Sequence, residues 1–373
     1  MKVVADDKIP FLKGVLEPYA EVVYLPGAKT AAADVHDADA LITRTRTKCH
    51  AALLKDSNVK FIATATIGYD HIDTEYLDKN GIAWTNAPGC NSGSVAQYLT
   101  SALLNLAVKY KFKLHEKTLG IIGVGNVGTK VAKIADALGM KVILNDPPRA
   151  AKEGDSQFTS LGALLKEADI ITMHVPLADD GDYPTYYLAD NEFFSRMKQG
   201  AFFINSSRGE VCDGEALIYA LSSGKLSGAV LDVWENEPDI DQELMKMLDF
   251  ATPHIAGYST DGKANGTAMS VNAVADLFNL PLKNWYPDDV PSPPNSIITA
   301  VDSGNFERDL LTVVSQSYNL AEDSTRLLNS PSTFEKQRGD YPLRREFYAY
   351  SVRGRMSPAL RKTLSGLGFK IQE

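Results

Sequence analysis

What most constrains this chain is a series of short segments, residues 40–43, 60–65, 120–123, 141–145, 169–174, 201–205 and 229–233, that are apolar almost throughout and alternate with stretches of helical period. Strands exposed on one face would alternate polar and apolar side chains, whereas strands covered by helices on both faces do not. The pattern therefore predicts an α/β chain built on doubly wound parallel sheet. It is interrupted at Pro281, Pro287, Pro291, Pro293 and Pro294. Proline removes backbone donors and keeps its predecessor extended, so this stretch reads as a linker or an ordered loop with a third unit beyond it. In that unit, residues 310–328 carry apolar and small side chains at helical spacing and read as one helix.

With 373 residues, 44% hydrophobic and 23% charged, disorder and fibrous structure are excluded, and there is material for two or three cored domains. Cys49, Cys90 and Cys212 are scattered and odd in number, which argues against a disulfide framework or a clustered thiolate metal site. Asp6 and Asp7 stand where a secretory leader is apolar, and no apolar run approaches the length of a membrane helix, so a cytoplasmic location is expected. The net charge of -9 argues against nucleic-acid binding. From Lys336 to Glu373 nine basic residues meet three acidic ones, a basic tail suited to subunit contacts, an anionic ligand or solubility.

The apolar run ending at Ile122 leads into Gly123-Val124-Gly125-Asn126-Val127-Gly128, after which Val131, Ile134, Ala135 and Leu138 mark a helix that Gly139 can end. In this strand-turn-helix setting the first glycine permits the tight turn. The second lets backbone approach a pyrophosphate at the helix N-terminus, and the third allows close packing. Eighteen residues after Gly128, Asp146 closes the next strand. A carboxylate there accepts from ribose hydroxyls and repels a 2′-phosphate, so NAD is expected rather than NADP. Arg149, beyond the stiff Pro147-Pro148 pair, is expected to face solvent.

Arg208 and Glu237 follow the runs 201–205 and 229–233, and His254, in Thr252-Pro253-His254-Ile255-Ala256-Gly257, is expected just beyond a strand in the same half of the chain. Strand carboxyl ends form the ligand crevice of a doubly wound fold, so the three can converge there. Imidazole suits proton transfer near neutrality, a carboxylate can fix its tautomer, and a guanidinium can hold a substrate carboxylate in its fixed fork.

The ordered set formed by residues 123–128, Asp146, 174–177, 205–209, 232–238 and 253–257 resembles the D-isomer-specific 2-hydroxyacid dehydrogenases. The resemblance spans roughly residues 40 to 260. It implies a Rossmann cofactor domain, 94–256, inserted in a flavodoxin-like substrate domain, 1–93 with 257–285, followed by a small α+β domain, 286–373, that forms a homodimer. It assigns substrate binding to Arg208, orientation of the histidine to Glu237 and acid-base catalysis to His254. It further implies NAD contacts at Asp146, Val175, Asp232 and Gly257, and substrate contacts at Thr45, Thr66 and Tyr258. Val175 lacks the hydroxyl that some relatives offer, leaving only its backbone to bind cofactor, and Thr45 stands in place of a serine.

A phosphorylated substrate is expected from Thr43-Arg44-Thr45-Arg46-Thr47, where Arg44 and Arg46 would share a face if the segment is extended. Arg344 or Arg345 of the last unit could reach the same phosphate. Ser92 or Ser94 is expected to cap the next helix, Cys90, His71 and His174 to be structural, and no metal is assigned. Two alternatives stay open: a dehydrogenase of glycerate or phosphoglycerate, and an NAD-responsive interaction protein.

Overall fold

The computed structural model describes residues 1–372 and divides into two compact units, Met1–Asn91 with Ser259–Pro291, and Ser92–Tyr258 with the chain from Ser292 onward. The first unit is a parallel sheet of β1 (Lys2–Asp6), β2 (Glu21–Leu25), β3 (Ala40–Thr43), β4 (Phe61–Thr64) and β5 (Ala83–Thr85), in the order β2-β1-β3-β4-β5. Both faces are covered, and the two-residue period of a strand sorts the core. Val4, Leu41 and Ile62 point to one side with Val35, Leu53 and Leu77, while Val3, Ala5, Ile42 and Ala63 point to the other, where Val271 and Val274 of helix Thr260–Leu277 complete the layer. The proline-rich stretch is an ordered loop: Asn272 accepts from the Trp285 N–H at 2.8 Å and donates to its carbonyl at 3.0 Å.

The second unit contains β6 (Thr118–Ile122), β7 (Lys141–Asn145), β8 (Ile170–Met173), β9 (Ala201–Asn205), β10 (Leu226–Leu231) and β11 (Phe250–Ala251), all parallel and ordered β11-β10-β9-β8-β6-β7. The chain reverses direction of travel across the sheet between β6 and β8, and such a switch opens a crevice at the carboxyl ends of the strands. A separate parallel sheet, β12 (Ile297–Ala300), β13 (Ser351–Gly354) and β14 (Lys370–Ile371), belongs to the same unit. Its Ile298, Ala300 and Val352 share one core with helices Ser92–Tyr110, Asn126–Ala137, Phe306–Ser317 and Pro358–Leu367. Ser92 and Ser94 both lie within the first of these helices.

The single helix expected over 310–328 is two, Phe306–Ser317 and Leu320–Asn329. Tyr318 is extended, and the Asn319 side chain accepts from Glu322 N–H, capping the second helix. Among the described residues no helix is long and apolar enough to cross a membrane.

Candidate active site

At the end of β6, Gly123 adopts φ +83°, and a Cβ there would meet the His174 carbonyl oxygen at 2.5 Å. A Cβ on Gly128 would lie 2.1 Å from the Gly123 oxygen, so only glycine lets helix Asn126–Ala137 approach the strand this closely. Gly125, by contrast, has nothing within 4 Å of the position a Cβ would take. The loop is thus closed behind and open in front, with the first N–H groups of the helix, from Asn126 and Val127 on, lacking intrahelical partners.

Asp146 directly follows β7 and accepts twice from backbone, from Val124 N–H at 2.7 Å and from Arg149 N–H at 3.0 Å. Two carboxylate oxygens offer about four acceptor sites, so capacity remains for ribose hydroxyls. Arg149 does not simply face solvent. Its guanidinium donates to the Val124 carbonyl at 2.6 Å, forks onto Glu153 at 2.8 and 2.7 Å, and lies 5.2 Å from the Phe158 ring centroid. The reason is local: Pro147 and Pro148 open a helix, Pro147–Glu153, that Asp146 caps, and its first turn carries Arg149 back over the glycine loop. Val175 follows β8 beside the same loop, close enough that a Cβ on Gly123 would lie 2.8 Å from its Cγ1. An open glycine turn, free helix donors and an acid at the next strand end fit NAD; an unpartnered buried hydroxyl, Ser206 beside Arg208, went unnoticed in the sequence.

The loop that carries His254 is held by Asp232, 1% exposed just past β10. Its carboxylate accepts from Thr252 Oγ1 at 2.6 Å and from the N–H groups of Ile255 and Ala256, each at 2.8 Å, while its carbonyl accepts from His254 N–H at 2.6 Å. Tied in this way, His254 occupies the left-handed region at φ +55°, a conformation that costs a non-glycine residue about 1 to 3 kcal/mol unless its surroundings dictate it. The imposed geometry brings Nδ1 to 2.8 and 3.1 Å from the two Glu237 oxygens. A carboxylate only accepts, so Nδ1 carries a proton, and in the neutral ring Nε2 is the nitrogen that presents the lone pair. Glu237 also accepts from Trp234 N–H at 3.0 Å. Burial pushes its carboxyl up, but the His254 hydrogen bond and charge, the Trp234 N–H and the Arg338 charge outweigh burial and hold it below the ordinary carboxylate range.

Arg208 leaves β9 with its guanidinium donating to the Ser207 carbonyl at 2.8 Å and its own carbonyl accepting from Asn205 Nδ2 at 2.8 Å. A Cβ on Gly209 would lie 2.0 Å from the Trp234 backbone, so the Arg208 loop packs on the loop that carries Glu237. Gly257 and Tyr258 close the His254 loop, with Tyr258 N–H donating to Ile255 O at 2.8 Å.

In the first unit, β3 and β4 are adjacent, Ala65 N–H donates to Thr43 O at 3.0 Å, and the Arg44–Arg46 and Thr66 segments therefore emerge side by side. Residues 44–47 form a turn rather than an extended segment, so the shared face expected for Arg44 and Arg46 does not arise by alternation; Arg44 Nη1 donates to Lys8 O at 3.1 Å. Thr66 Oγ1 donates to Gly68 O at 2.9 Å and lies 2.8 Å from Thr64 Oγ1, which is 3.2 Å from His71 Nε2. Lys263 was not singled out in the sequence. Burial and the nearby Arg44 charge hold its ammonium below the ordinary lysine value, which gathers two cations within this unit.

Arg344 is not available to a phosphate. It is 4% exposed and lies 3.7 Å from the Tyr318 ring centroid. Its guanidinium donates to Gln97 Oε1 at 2.8 Å, Ser94 O at 2.6 Å and Ile255 O at 3.3 Å. Arg345 is buried as well. All three cysteines are buried, and burial pushes the Cys49 thiol up to about 12.

Residues 100–256 match the model of the D-isomer specific 2-hydroxyacid dehydrogenase NAD binding domain, and residues 290–368 match a domain of unknown function. Erythronate-4-phosphate dehydrogenase of Bacteroides fragilis is 52% identical over 94% of this chain and 99% of its own length. The enzyme of that name from Porphyromonas gingivalis is 41% identical over 99% of this chain and 100% of its own. Among solved structures, the D-lactate dehydrogenase of Aquifex aeolicus in complex with NAD and lactic acid has a TM-score of 0.60 at 29% identity, covering 75% of this chain and 96% of that one. The NAD-bound 3-phosphoglycerate dehydrogenase of Entamoeba histolytica has a TM-score of 0.64 at 28% identity, covering 75% and 95%.

Proposed function

Because the chain belongs to the erythronate-4-phosphate dehydrogenase family, we propose that it oxidises 4-phospho-D-erythronate to 3-hydroxy-2-oxo-4-phosphonooxybutanoate, a step of pyridoxal 5′-phosphate biosynthesis. The observation that carries the chemistry is the His254–Glu237 pair at 2.8 Å, on a unit that also bears the dinucleotide cradle. Bound NAD supplies the two-electron acceptor. Gly123, Gly125, Asn126, Val127 and Gly128 hold its pyrophosphate, Asp146 its ribose, and Val175, Asp232 and Gly257 line the rest of its site. His254 Nε2 takes the proton of the C2 hydroxyl. As the imidazole gains charge, the Glu237 carboxylate stabilises it through Nδ1–H. Arg208 grips the substrate carboxylate in its fork. Arg44, Thr45, Arg46, Thr66 and Tyr258 bind the remainder of the substrate, and Lys263 adds positive charge for the phosphate.

A single-turnover panel following cofactor reduction with 4-phospho-D-erythronate, 3-phospho-D-glycerate and D-glycerate tests the substrate. Preference for the four-carbon phosphate is expected. Efficient turnover of 3-phosphoglycerate with none of 4-phosphoerythronate would overturn the assignment, and turnover of neither would favour the interaction protein. We also propose that the protein is a cytoplasmic homodimer joined through the small sheet. The reading is supported by the sheet's outer face, where Ile297 is 47% exposed, and by Val301 just past its edge strand at 59%.

A further inference from the structure

Helix Phe334–Gly339 carries Arg338 to the acid-base loops. The guanidinium carbon lies 5.8 Å from the Tyr258 ring centroid and 5.8 Å from that of Phe334, and Nη1 donates to Glu335 at 3.1 Å. The side chain is 22% exposed, and its Nε is buried without a hydrogen-bond partner among the described residues. On its other flank Tyr258 meets Tyr341 edge-on at 5.9 Å, and the Tyr341 hydroxyl donates to Asp323 at 2.6 Å.

An arginine serving only the Glu335 pair, three residues away on a short helix, would keep its head in water, because surface pairs of this kind contribute little. Withdrawing a guanidinium from solvent and leaving one donor unmet has a cost that charges facing it must offset. Geometry puts the Tyr258 ring and the Glu335 carboxylate against Arg338, and the titratable groups that act electrostatically on its charge are these two together with Glu237 and Asp232 from the loop after β10. Glu237 in turn faces His254 and Arg338.

We propose that Arg338 is a positioning residue of the acid-base site, seating Tyr258 by its ring face and setting a fixed positive charge beside the Glu237 carboxylate. The segment that matches a domain of unknown function therefore takes part in turnover. The kinetic part of this inference rests on the substrate reading above; the electrostatic part does not.

The test compares Arg338→Met, which keeps bulk and loses charge, with Arg338→Lys, which keeps a cation over the ring. In full-length protein labelled at the glutamate carboxyl carbons, the Glu237 resonance of the Met variant should titrate at higher pH than in the wild type, and the Lys variant should restore the wild-type midpoint. NADH affinity by fluorescence should stay within about twofold, while kcat/KM for 4-phospho-D-erythronate falls roughly three- to thirtyfold, the range a lost cation–π contact carries, and largely recovers with Lys. If the Met variant is poorly folded, Arg338→Gln replaces it in the titration. A folded, charge-free variant whose Glu237 titrates as in the wild type overturns the proposal. A titration shift in a protein that does not oxidise 4-phosphoerythronate would leave Arg338 where we put it and remove the substrate reading instead.

Discussion

His254 shows how backbone and side chain divide the work at a single position. Asp232 fixes the left-handed main chain and Glu237 fixes the ring, so replacing the imidazole should spare the loop. His254→Ala should lower turnover by roughly 100- to 10,000-fold while NADH binding by fluorescence is retained; unchanged turnover would remove His254 from the mechanism. Asp146→Ala should raise NADPH affinity relative to NADH. The Glu153 fork holds Arg149, so Asp146→Ala with Glu153→Ala should raise it further, and fluorescence titration of both variants with the two reduced cofactors decides. His174 belongs to a different account. Burial pushes it down to about 3, and its Nε2 lies 3.1 Å from Thr172 Oγ1. Its folded value is below its unfolded one, so the unfolded chain binds a proton that the folded chain refuses. Stability is therefore undiminished above the ordinary histidine value and falls as pH drops from there towards about 3. His174→Gln should show a smaller loss of Tm than the wild type between about pH 7.5 and about pH 5.

Elements were legible where the chain's own period fixed them and obscure where packing did. The apolar runs at 40–43 and 201–205 coincide with β3 and β9 because strands buried on both faces keep the run apolar almost throughout; the run at 141–145 coincides with β7, an edge strand that stays apolar between Lys141 and Asn145. β1, β2, β5, β11 and the small sheet escaped notice: β1 is framed by Lys2 and Asp6 and β2 opens on Glu21, β5 and β11 are only three and two residues long, and β12 alternates exposed and buried positions. The break at Tyr318 has no glycine or proline to announce it, only the capping Asn319. Arg208, Glu237 and His254 stood out because each follows a strand closely. Arg338 did not, because it reaches Tyr258 from 80 residues further along the chain. The helix that carries Arg149 was missed because two prolines that stiffen a loop also begin a helix well. The glycine loop makes an element-scale prediction. Gly128→Ala, placing a methyl against the Gly123 carbonyl, should part helix from strand, lowering Tm and weakening NADH binding together; loss of neither would contradict the close approach.

For the molecule as a whole, the proposed dimer is tested at the small sheet, whose outer face carries exposed Ile297 beside Thr299 and Arg353, with Val301 exposed just past the edge strand. Sedimentation velocity should give twice the 40.6 kDa chain mass, and Ile297→Glu with Val301→Glu should return the protein to that mass. A wild-type monomer would refute the dimer. The two compact units are interleaved along the chain, first, second, first, second. Val271 and Val274 arrive late to close the core begun by Val3 and Ala5, and the sheet from β12 onward completes the core of helix Ser92–Tyr110. A ribosome must therefore deliver the chain as far as Pro291 before the first half can finish folding, and the nascent N-terminal strands wait, one face only partly covered, while the whole of Ser92–Tyr258 is made.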